Sequence, residues 1–66
     1  MEIKERQIRD FAQCAASQCF KQIIAGTDID RLTALEAVKN AEDAFEVTLK
    51  VSLRGKGVEI VQEARG

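Results

Sequence analysis

The sequence predicts a small α+β domain in which two helices are followed by an antiparallel β-hairpin, an ααββ order over residues 1–66. Three observations carry this: apolar residues at three- and four-residue steps up to residue 25, a second such stripe to residue 44, and a switch to strict alternation from residue 45. Proline is absent, and nothing marks a linker, a repeat or a second domain.

The first helix is placed at about 3–25. Ile8, Phe11, Ala12, Ala15, Cys19 and Ile23 form its stripe, and Phe20 and Ile24 widen it beyond what one partner helix covers. Gly26 is read as the C-terminal stop, in the left-handed conformation that glycine adopts without strain. Thr27 to Asp30 connect to a second helix at about 31–44, where Thr33 and Glu36 have the spacing of a capping box and an earlier start at Thr27 or Asp30 competes. Its stripe is Leu35, Val38, Ala41 and Phe45.

Strands are placed at about 45–54 and 57–62. Phe45, Val47, Leu49, Val51 and Leu53 alternate with Glu46, Thr48, Lys50, Ser52 and Arg54, and a turn at Gly55-Lys56 pairs Leu53 with Val58 and Val51 with Ile60. A competing reading continues the second helix through Leu49 and Leu53, at the cost of leaving Val47 and Val51 facing water. The polar tail after Val61 is expected to fray.

Size and composition narrow the function classes. A core built from 66 residues supplies only about 3–5 kcal/mol without disulfides, a metal or self-association. Cys14 and Cys19, five apart in one helix, stand roughly 8–9 Å apart and too far round the axis for a bridge. The chain has no histidine, so two divergent thiols make no metal site. Self-association remains, with Phe20 and Ile24 as the residues expected to mediate it. Forty-five per cent apolar and 32% charged residues describe an ordinary globular chain, and a net charge of −1 gives no field for holding a polyanion. Free thiols without a targeting segment point to the cytoplasm, and no apolar run is long enough to span a membrane.

Residues able to carry chemistry are few, and no catalytic residue, metal ligand or cofactor is assigned. Neither cysteine has a base to form its thiolate; Cys19 reads as a small buried hydrophobe and Cys14 as partly exposed. Asp28 and Asp30 resemble the start of a calcium loop, but Leu32, Thr33 and Lys39 occupy positions where that loop needs a ligand, a glycine and a glutamate. Helix capping explains them. Glu42, Asp43 and Glu46 read as a solvated face. Lys50, Arg54 and Lys56 fall on the outer face and tip of the expected hairpin and are the candidate partner-binding residues, with the helices around Arg9, Gln13 and Lys39 as the alternative surface. The expected function is a non-enzymatic protein-binding domain, a homodimer acting as inhibitor, adaptor or accessory subunit on a larger macromolecular partner. The second reading is a small dimeric nucleic-acid-binding protein that uses the basic hairpin.

Overall fold

The structure, a computed structural model, describes residues 1–62. Its order is βααβ: β1 Glu2–Lys4, α1 Glu5–Gly26, α2 Arg31–Gly55 and β2 Glu59–Val61. The two helices form an antiparallel pair. The two strands, one from each end of the described chain, pair in parallel with Ile3 opposite Ile60, and the Glu59 N–H donates to the Met1 carbonyl at 3.1 Å. A parallel pair needs a crossover connection, and here the helical hairpin is that crossover.

The expected antiparallel hairpin is therefore corrected. Residues 45–54, read as a strand, continue α2 to Gly55, and the second strand is short, runs over Glu59–Val61 and pairs with β1. The alternation misled for a geometric reason. Apolar residues at every second position contain two sets at every fourth, Phe45-Leu49-Leu53 and Val47-Val51, and each set is also a line along a helix. The helix satisfies Leu49 and Leu53, which are half-buried, and leaves Val47 and Val51 at 62% and 63% exposure. The tail expected to fray begins at Gln62, which hydrogen-bonds the Glu5 carboxyl; the rest of it, residues 63–66, lies outside the described residues.

Gly55-Lys56-Gly57, read as a hairpin turn, instead ends α2. Gly57 has φ 84°, the only positive φ among the described residues. Its N–H donates to the Arg54 carbonyl at 3.1 Å and that of Val58 to the Leu53 carbonyl at 3.0 Å, the paired bonds of a Schellman ending. At the other end of α2, Asp30 is the N-cap, its carboxylate accepting the Thr33 N–H at 3.0 Å. The capping box expected from Thr33 is displaced by this earlier start. Gly26 is the last residue of α1 rather than a left-handed stop. Thr27 terminates α1, donating to the Ile23 carbonyl through both its N–H at 3.0 Å and its hydroxyl at 2.8 Å.

The packed seam is a row of every fourth residue on each helix. On α1 it runs Ile8, Ala12, Ala16, Phe20, and on α2 Ala34, Val38, Glu42, Glu46; Ile8, Ala12, Ala34 and Val38 are buried and the rest half-buried. Ile8, Ala12 and Val38 belong to the expected stripes, but most of the other members of those stripes turn away from the seam. Phe11, Ala15 and Cys19 on α1, and Leu35, Ala41 and Phe45 on α2, are exposed. The small alanines draw the helices together along a line one residue away from the bulkier side chains. The molecule is flat, with extents of 42 × 30 × 14 Å.

Candidate functional site

The seam divides this flat helical layer into two sides of opposite character. The residue before each seam position points about 100° one way round its helix, and the residue after it about 100° the other. Because the helices are antiparallel, the same offset on both carries residues to the same side of the layer. One side therefore presents Phe11, Ala15 and Cys19 of α1 with Ala37, Ala41 and Phe45 of α2. All six are exposed, and none carries a charge. The other side presents Arg9, Gln13, Ser17 and Lys21 with Leu35, Lys39, Asp43 and Val47.

The charged side holds an open groove of about 320 Å³, walled by Gln13, Ser17, Leu35 and Lys39 and floored by seam residues including Phe20 and Val38. The Arg31 guanidinium lies 5.6 Å from the Phe20 ring centroid, a distance at which the ring's negative face attracts the cation. Phe20 is thus occupied within the chain. It and Ile24, the residues expected to mediate self-association, are half-buried. Gln13 and Lys39 of the alternative surface line the same groove, one from each helix.

At the strand end of the layer an ion cluster ties the helices together. The Lys50 ammonium donates to Glu5 Oε1 at 2.8 Å and lies 3.5 Å from Glu46 Oε1, while Arg9 Nε lies 3.7 Å from that same Glu46 oxygen. The hydrogen bond from Lys50, followed by one from Gln62, holds the Glu5 carboxyl below its ordinary range, and the bond to Glu5 raises the Lys50 ammonium. At the far end, the Thr33 backbone N–H holds the Asp30 carboxyl low in the same manner.

Lys50, Arg54 and Lys56 consequently share no strand face. Lys50 is a half-buried structural cation, Arg54 sits in the last turn of α2, where it complements the helix dipole, and exposed Lys56 lies in the Schellman ending. Cys14 and Cys19 are both free and exposed, which corrects the buried position expected for Cys19. Among the described residues no group of three His, Cys, Asp or Glu side chains could hold a metal ion, and no helix is long and apolar enough to cross a membrane. The uncharged side escaped the sequence reading because Phe11 and Phe45 were placed in the core. Its signal was the run of positions 11, 15, 19 and 37, 41, 45 without a charge. Comparison with protein-family models, curated proteins and solved structures finds no match.

Proposed function

We propose that this chain is a non-enzymatic protein-binding domain, working in the cytoplasm as an inhibitor, adaptor or accessory subunit of a larger macromolecular partner. The observation that carries the reading is the uncharged side of the layer, where Phe11 and Phe45 keep 52% and 43% of their surface exposed. An apolar patch bearing aromatic residues and bordered by charged helix faces has the make-up of a protein interface. The nucleic-acid alternative loses its basic hairpin, because residues 45–54 are helical and Lys50 is neutralised by Glu5 and Glu46.

A photo-activated cross-linking residue placed at position 41, with position 21 on the charged side as its counterpart, tests this in the native cell. Protein adducts concentrated at position 41 are expected. Adducts to nucleic acid, or none at position 41 while position 21 reacts, would overturn the reading.

A further inference from the structure

The two rows on the uncharged side are graded in size, and the gradient has a consequence for what covers them. Glu5 meets Lys50 and Arg9 meets Glu46, so each step along α1 is matched by an equal step back along α2. To within a residue, Phe11 is level with Phe45, Ala15 with Ala41 and Cys19 with Ala37. Two large rings therefore stand side by side across the layer. About 6 Å further on, one four-residue step, lies a trough of small side chains.

We propose that a second copy of this chain covers the uncharged side, related by a twofold axis that lies in the interface and runs across the helices between these two levels. This inference rests on reading the uncharged side as a protein interface and assigns that side to a second copy, so that the larger partner meets the assembled dimer. Such an axis lays α1 antiparallel on α1 and α2 antiparallel on α2, so that Phe11 of each copy settles on Ala15 of the other and Phe45 on Ala41. Every contact occurs twice, as a closed twofold interface requires. A twofold axis along the helices would instead stack ring on ring and alanine on alanine, leaving the trough empty, and empty space between packed helices is costly.

Charge and area agree with this occupant. Both facing rows are uncharged, so like charges do not meet across the axis, and the chain as a whole carries only −1. The faces span roughly 18 Å along two helices about 10 Å apart, which with side-chain relief gives on the order of 500–600 Å² per copy. The total of about 1,100 Å² reaches the lower bound for a specific interface. The resulting unit packs four helices around the shared face.

The offset allows a complementation experiment. One variant carries Phe11→Ala and Phe45→Ala, and the other Ala15→Phe and Ala41→Phe. Sedimentation of the wild-type chain at micromolar concentration is expected to give twice the chain mass. Each variant alone should dissociate at least about 100-fold more readily, since central aromatic residues dominate interfaces. Circular dichroism should show both still helical, as the altered positions lie off the seam. An equimolar mixture should regain the dimer, because the rings of one copy meet the alanines of the other in both halves of the interface. A dimeric wild type whose variants are not rescued by mixing would overturn the offset packing. A wild type still monomeric at about 100 μM, roughly ten times the dissociation constant of a 10 μM dimer and so a concentration at which most of the chain would be paired, would overturn self-association altogether, and protein adducts at position 41 would then leave the protein-binding reading standing.

Discussion

The two ends of the helical layer are held in different ways. At the loop end, α1 stops on the Thr27 hydroxyl and α2 starts on the Asp30 carboxylate, each a local bond between a side chain and a nearby backbone group. At the strand end the same helices are joined by backbone pairing of residues distant in sequence and by Lys50 bridging to Glu5. The loop end thus depends on individual short side chains that a sequence displays openly. The strand end depends on register, which appears only once the helices are set against each other.

The largest test of this contrast substitutes aspartate at an isoleucine near each end. Ile60→Asp places an unpaired charge in the half-buried strand and should cost roughly 3 kcal/mol or more, a large share of the stability of so small a domain. Ile29→Asp, at a residue 46% exposed in the loop, should stay within about 0.5 kcal/mol. Urea titrations followed by circular dichroism compare the two, and equal losses would show that the strand pair contributes nothing.

A finer test lies within the three residues that close α2. Gly57→Ala forces an alanine into the left-handed region and should cost about 1–2 kcal/mol. Gly55→Ala fills open space on a helical residue and should add about 0.5–1 kcal/mol. A β-hairpin turning at Gly55 would reverse the order of these effects, so the pair of thermal melts distinguishes the helix ending from the turn.

At the loop end, Asp30→Ala should lower the melting temperature by roughly a few degrees, and Asp30→Asn, an equally good cap, should recover most of the loss. If alanine and asparagine melt alike, the Thr33 N–H finds another acceptor and the cap is dispensable.

The smallest effect expected is on pH dependence. Glu5 and Asp30 bind protons less readily in the folded chain than in the unfolded one, so their contribution is complete above the ordinary carboxylate range and is lost as pH falls through the lowered folded values. Lys50 holds its proton more tightly when folded. Its contribution is complete below the ordinary lysine value of 10.5 and is lost as pH rises through the raised folded value. Melting temperature should therefore be level between roughly pH 6 and 9 and decline on either side. Lys50→Met should shrink the acid decline and remove the alkaline one; an unchanged alkaline limb would assign it to other groups.

The same division accounts for what could be read from the residues alone. Both helices, the loop between them and the candidacy of Asp30 as a cap follow from local spacing and side-chain chemistry. The second half of α2 does not, because alternation at residues 45–53 fits two lines of a helix as well as one face of a strand. Nor does β1, whose three residues carry no turn signal and pair only with the far end of the described chain. Lys50 showed its charge but not its partner, since Glu5 is brought to it by the antiparallel register. The groove partners Gln13 and Lys39 were named as a surface without sign that they face each other.

The parallel pairing of Glu2–Lys4 with Glu59–Val61 also fixes an order of events in folding. The first strand has no backbone partner until both helices have been made and turned back, so closing the pair requires ordering across nearly the whole chain, a cost that grows with the logarithm of the distance spanned. The helices, whose bonds are local, can form while the ends are still apart. Ile60→Ala should accordingly leave the refolding rate almost unchanged and appear in faster unfolding. Among the described residues, the first strand in sequence is among the last elements to acquire its native neighbours.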